Sequence, residues 1–245
     1  MAAPALRARS VGEILDLSFQ LYRSRWAQMA TATGIVVLPL LVLEAISPLS
    51  ALPLLERLSN LFFLAASAAV VVIASEAYMG REISATEALR QAGSRFLSVW
   101  GAALIQGILI GIGMLLLIIP GIIAAAWTFA MQQAVMIEGA SAGESFERSR
   151  ELSRDHFKHI LLTSGLVFAI VIFAMIGFGI LLELAVDSER MWMLLSNVAL
   201  VAINPLAAVV GTVLYYDLRI RKEAFDVAVA TERLDDAPAH PVGAL

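Results

Sequence analysis

Long apolar runs, each closed by a short polar or charged stretch, make up most of the chain. A membrane-crossing helix needs about 20 mostly apolar residues. Six segments are read as spans: Gln28–Pro48, Leu58–Met79, Phe96–Ile119, Ile122–Ile137, Ile160–Val186 and Met191–Tyr216. The pattern predicts an all-α integral membrane protein with six transmembrane helices. Pro120-Gly121 separates the third span from the short fourth, and this dipeptide marks a tight turn. Asn204-Pro205 falls near the middle of the sixth span, where it predicts a kink or an opening of the helix. Before the first span, Arg7 and Arg9 are followed by SVGEILDLSFQLYRSRW, which is amphipathic and charged. A cleavable leader has a plain apolar stretch there, so the first span is expected to remain as an anchor.

Three segments align ahead of outgoing spans. They begin Ser10-Val-Gly-Glu13, Ser84-Ala-Thr-Glu87 and Ser141-Ala-Gly-Glu144. Each is S-x-x-E, in which the serine caps a helix and the glutamate reaches back to the serine's own amide. Two places after each Glu stands a large apolar residue (Leu15, Leu89, Phe146). Eight after each Ser stands a small one (Ser18, Ala92, Ser149), and sixteen after each an aromatic (Trp26, Trp100, Phe157). The spans therefore divide into three hairpin units, about 10–83, 84–140 and 141–225, within one membrane domain of residues 1–226. Each unit is led by an amphipathic helix suited to the headgroup layer. The third lead, crowded with Glu147, Arg148, Glu151 and Arg154, is expected to run on into the fifth span. The polar, proline-containing stretch 227–245 reads as a disordered tail.

Composition agrees with this plan. Apolar residues are 60% of the 245 and charged residues 16%, against roughly 45–50% and 25% in soluble domains. The net charge of −4 removes a chain-wide basic field for nucleic acid. With no cysteine, disulfides, thiolate catalysis and cysteine-based zinc sites are excluded. Every Lys and Arg except Arg57 and Arg190 falls on one side of the six spans. Basic residues favour the cytoplasmic side. Both termini are therefore expected in the cytoplasm of a bacterial inner-membrane protein, with short outer loops at Leu49–Arg57, Pro120-Gly121 and Asp187–Arg190.

PGIIAAAWTFAMQQAVMIEG followed by SAGESFERSRELSRDHFKHILL resembles the bacterial and archaeal membrane domain found in some glycerophosphoryl diester phosphodiesterases, and in free-standing multi-span proteins. VGEILDLSFQLYRSRW and LYYDLRIRKEAFD fit the same pattern. The resemblance covers the chain to about Asp226 and implies architecture, not activity. In the fused proteins the hydrolytic chemistry belongs to a separate soluble barrel of about 250 residues, for which this chain has no room.

Candidate chemistry is sparse. His156 and His159, near Glu151 and Asp155, have metal-compatible spacing, with Glu76, Glu138 or Asp217 as further ligands. The plainer reading is that DHFKH anchors the fifth span at the headgroups, and no metal site, catalytic set or cofactor is assigned. The spans hold few polar groups. Gln106, Asn204 and Pro205 are the candidates for a pathway or kink, since polar groups at membrane depth are seldom idle. Glu44 and Glu183 stand near the outer end. Gly107-x-x-x-Gly111 and Ala65-x-x-x-Ala69, with Gly165, Gly177 and Gly179, are expected to pack helices closely.

The expected function is non-enzymatic binding of membrane lipid, or of a membrane or cytoplasmic protein partner, through the basic face. Arg23, Arg25, Arg95, Arg148, Arg154 and Lys158 are the contacts. The alternatives are a transporter or lipid-moving channel through the bundle, and a membrane-embedded lipid-headgroup enzyme. Topology is directly testable. Asp187→Cys should react with an impermeant thiol reagent applied outside cells, and Ser141→Cys should not. The opposite pattern would invert the orientation.

Overall fold

The computed structural model describes residues 4–48 and 52–235, so the loop expected at 49–57 lies partly outside the described residues. Six helices are long and apolar enough to cross a membrane, giving an all-helical, multi-pass architecture. In chain order the helices are α1 (Val11–Ile46), α2 (Leu52–Tyr78), α3 (Ala85–Ser94), α4 (Phe96–Leu116), α5 (Ile118–Thr128) and α6 (Met131–Gln133). A π-helical segment, Ala134–Glu138, follows α6. Then come α7 (Ala142–Ser153), α8 (Phe157–Ala185), α9 (Glu189–Glu223) and α10 (Phe225–Asp235).

α1, α2 and α9 form the centre. Met29, Ala32, residues 70–74, Val209, Val213 and Leu214 are all buried there. α8 is the opposite case. Only Ile160, Thr163, Val167 and Leu182 are buried along its length, and Phe173, Leu181 and Leu184 stand exposed. An apolar helix face left open in this way suits contact with lipid tails.

Serines 10, 84 and 141 are all N-caps. At Ser10 and Ser141 the capping box is complete. Glu144 is held below the usual carboxylate range, first by the backbone N–H of Ser141 and then by its hydroxyl. At Ser84 the box is half made, because Glu87 turns to Arg90 and Gln91. Beyond the caps, the helices depart from expectation. The first lead is no separate interfacial helix: α1 runs unbroken for 36 residues. The third lead is not continuous with its span, because Asp155 adopts a left-handed φ of 69° between α7 and α8. Asp tolerates that region better than most residues. The expected disordered tail is helical as far as Asp235, and 236–245 lie outside the described residues.

The turn between the third and fourth spans is also displaced. Its one non-helical residue is Leu117, with φ −167° and ψ 153°, and Pro120-Gly121 belong to the first turns of α5. Proline is tolerated there, since an amide at a helix start has no intrahelical partner to lose. Glycine is required for proximity. A Cβ on Gly113 would sit 2.8 Å from Gly121 Cα, and one on Gly121 would sit 2.6 Å from Met114 Cγ. The two helices thus touch nearly backbone to backbone, which lets one residue reverse the chain. By contrast, a Cβ at Gly107, Gly111, Gly165, Gly177 or Gly179 meets nothing within 4 Å. Those glycines, expected to pack helices, do not mediate close approach within the chain. The sixth span runs helically through Pro205, so it does not open there.

At the end opposite the Ser10 cap, Glu44 is 1% exposed and accepts from Ser59 Oγ and Asn197 Nδ2, both at 2.8 Å. Arg190 donates to the carbonyls of Ala45 and of the cap residue Ser47 at 2.6 and 2.8 Å, satisfying two of the acceptors left free at the end of α1. Gly121→Val should force the α4–α5 contact apart and destabilise by roughly 1–3 kcal/mol, while Gly111→Ala should be tolerated. Thermal unfolding in detergent checks the pair. Equal melting of the two variants would show that the close contact is not needed.

Candidate functional site

The fourth span is interrupted where the others are not. α5 stops at Thr128, Phe129 and Ala130 form a turn, and the helix resumes as the short α6 and the π segment. Interrupted backbone is tolerated at membrane depth only when its freed groups find partners. They find them on α7. Ser149 Oγ accepts from Ala130 N–H at 3.1 Å, and Ser153 Oγ donates to the Ala126 carbonyl at 2.7 Å. On α4, Gln106 Nε2 donates to the Thr128 carbonyl at 3.2 Å. Gln106 and Thr128 are equally far in sequence from Leu117, as an antiparallel hairpin requires. The small residue at Ser149 is thus buried because it completes a broken helix.

Beside this break lies a cavity of about 360 Å³ between α2, α4, α6, α8 and α9. Its polar lining is Ser67, Gln106, Gln132, Gln133, Ser164 and Asn204. Gln106 and Asn204, singled out from the sequence, therefore meet across one space, while the buried Pro205 next to Asn204 is not among its lining residues. Ser67, Gln132, Gln133 and Ser164 were missed. The adjacent glutamines inside a short span were the signal. Ser67 Oγ lies 3.2 Å from Gln132 Oε1, which leaves Gln132 Nε2 without a partner. Gln133 is 4% exposed, and its Oε1 is also unpaired. A Cβ on Gly211 would come within 2.6 Å of Gln133 Nε2, so glycine makes room for that carboxamide. The Asn204 side chain makes no hydrogen bond within the described chain.

The cavity reaches the surface of the bundle along α8, where Ser164 is exposed and Phe168 is 66% exposed. At 1.5 Å per residue, Ser164 lies about 10 Å along α8 from Phe157, and Gln106 about 15 Å along α4 from Phe96. Counted from those helix starts, the cavity lies about a third to a half of the way across a hydrocarbon core about 30 Å thick.

The charged end is organised by the last turns of α9. Asp217, fully buried, accepts from Arg9 N–H at 2.6 Å, Arg221 Nε at 2.7 Å and His159 Nε2 at 3.0 Å. Arg9 also reaches the Tyr78 hydroxyl at 2.8 Å. Tyr78 stacks on Tyr216 at 4.7 Å, and Tyr216 pairs with Ser75. Beside this cluster, Glu138 and Glu223 bind Arg148 and Arg219. Those two carboxylates raise the Arg148 guanidinium above its ordinary value, Glu138 most strongly. His159 is thus committed to Asp217, and His156 Nδ1 lies 3.1 Å from the Arg154 carbonyl. Among the described residues, no group of three or more His, Asp or Glu is placed to hold a metal ion.

Of the six basic residues expected to face lipid, three have partners inside the chain. Arg25 pairs with Glu82, Arg95 donates to the Gly139 carbonyl, and Arg148 joins the network just described. Arg23, Arg154 and Lys158 are exposed and form no ion pair among the described residues.

No family model matches the chain, and neither a curated protein nor a solved structure matches it.

Arg148→Ala should cost about 2 kcal/mol of stability, because it strips partly buried carboxylates of a charge-assisted partner. Arg90→Ala, at a fully solvated pair, should leave melting unchanged. Thermal unfolding of both in detergent is the measurement, and equal melting would mean that the Arg148 network is not structural.

Proposed function

We propose that this chain is a non-enzymatic membrane protein that binds an amphipathic molecule from the bilayer in the cavity beside the broken fourth span. One observation carries the reading. A space lined by six neutral polar side chains lies within an otherwise apolar bundle. Polar side chains at that depth are costly, and a ligand that pairs with the lining carboxamides offsets the cost. Interrupted helices beside such a space are also a feature of membrane proteins that bind solutes at mid-depth. π-Helical turns are frequent at functional sites. Ligand entry is sideways, past Ser164 and Phe168.

The surrounding architecture in this reading is three hairpin units in a bacterial inner membrane, with the charged end and both termini in the cytoplasm. The three serine caps support the units. So does the matching burial of Ile14, Ala88 and Ser145 four residues after the caps, and of Ser18, Ala92 and Ser149 eight after. The likeness of this chain to the membrane domain carried by some phosphodiesterases belongs to the same reading, as architecture without their chemistry.

A second reading rests on a separate observation. Arg23, Arg154 and Lys158 are left free at the charged end, and each is worth about 1 kcal/mol near an anionic leaflet. They hold that end on acidic lipid while the cavity does the binding.

Native mass spectrometry after mild-detergent extraction tests the main reading. The wild type should retain a small amphiphile that Ser164→Phe, altered only at the cavity mouth, has lost. Equal retention in both sinks it. For the second reading, the Arg23/Arg154/Lys158 triple alanine variant should retain less anionic lipid. Unchanged retention removes that reading and leaves the first untouched.

A further inference from the structure

The chemistry of the lining narrows the ligand further, on the strength of the cavity reading above. We infer that the cavity takes an uncharged head bearing a hydroxyl or amide, on an apolar body that stays in the bilayer.

Three observations converge. First, among the lining residues there is no Asp, Glu, Lys, Arg or His. A phosphate, carboxylate or ammonium at this depth would find no counter-charge, and an isolated charge in such surroundings is strongly disfavoured. Second, the lining offers the carboxamides of Gln132, Gln133 and Asn204, each carrying both a donor and an acceptor. A hydroxyl both accepts from and donates to such groups, and a primary or secondary amide does the same. A bare ester or ether oxygen satisfies only the donors. An ammonium satisfies only the acceptors. The Asn204 side chain, without a partner in the chain, presents its pair from α9. Third, the space is small and opens to the side. About 360 Å³ is near the lower end of small-molecule sites, enough for a head and its first few carbons. The opening along α8 is bordered by Phe168, with Val167 and Val171 on the inner wall. An acyl or alkyl body therefore passes out between side chains already facing lipid. A free polyol from water would gain nothing from that wall.

Two residues position the site without needing to touch the ligand. Gly211 leaves room for the Gln133 carboxamide, and Ser67 pairs with the carboxamide of Gln132.

The test uses a matched pair of probes, dioctanoylglycerol and dioctanoyl phosphatidate. They share their chains and differ by one phosphate in place of a hydroxyl. Binding of each to the full chain in detergent is measured by native mass spectrometry titration. The wild type and three variants are compared: Ser164→Phe at the mouth, Gln132→Met and Gln133→Met. The methionines keep volume and remove the hydrogen bonds, so monodisperse, normally melting protein is expected from both. Dioctanoylglycerol should bind more tightly than the phosphatidate. Each methionine should weaken it by about fivefold, and Ser164→Phe should abolish it. Phosphatidate binding as tightly as dioctanoylglycerol, or dioctanoylglycerol indifferent to both methionines, overturns the neutral-head inference. If Ser164→Phe still blocks binding in that case, the cavity reading stands. Binding that persists in Ser164→Phe overturns the cavity reading itself. Absence of dioctanoylglycerol binding to the wild type overturns the inference.

Discussion

A backbone amide inside a bilayer has no water to fall back on, and this constraint shapes the centre of the molecule. The other spans meet it by running as long helices. The fourth does not, and the interruption at Phe129–Ala130 is stable because Ser149 and Ser153 of α7 pair with the groups it frees. The burial of a short, otherwise polar helix against α4, α5 and α6 follows in part from that pairing. Leu152, fully buried in the core, and the Arg148 ion pairs hold the same helix from its other turns. Gln132 and Gln133, on the cavity wall, stand directly after the break.

A second organising element is the end of α9. Asp217 gathers the amide of Arg9, the imidazole of His159 and the guanidinium of Arg221. It thereby ties the start of the chain, the start of α8 and α9 itself. Contacts that bridge 208 residues of sequence, as Arg9–Asp217 does, make this end rigid through one buried carboxylate. The neighbouring Glu138–Arg148–Glu223 cluster joins the π segment and α7 to the same helix. The cavity therefore sits below a firmly tied end and beside α8, the least buried of the six long helices.

Much of this was legible because it is local. Helix caps depend on residues three apart, and the serines at 10, 84 and 141 cap as their spacing predicts. Spans depend on runs of apolar residues, and six helices carry them. Gln106 and Asn204 stood out because polar residues in such runs are rare, although nothing local said that they share a space. What was not legible depends on distant partners or on degenerate signals. Pro120-Gly121 suits a turn or the start of a tightly packed helix equally well, and only the contact with Gly113 decides between them. The break at Phe129 requires serines about twenty residues further on. Arg25 and Arg95 look like free basic residues until Glu82 and Gly139 are brought to them, and Arg148, with glutamates on its own helix, takes Glu138 and Glu223 from distant elements.

The tip of the α4–α5 hairpin is apolar throughout, from Met114 to Pro120, with Leu115 87% exposed and its neighbours through Ile119 about 70% exposed. The other two hairpins are joined by segments that contain serine or acidic residues. During biogenesis those polar segments must be carried across the hydrocarbon layer. This one need not be. A two-helix unit whose far end holds nothing hydrophilic can enter the bilayer from one side with no polar segment to carry across. Its insertion therefore carries no hydrophilic loop across the hydrocarbon layer.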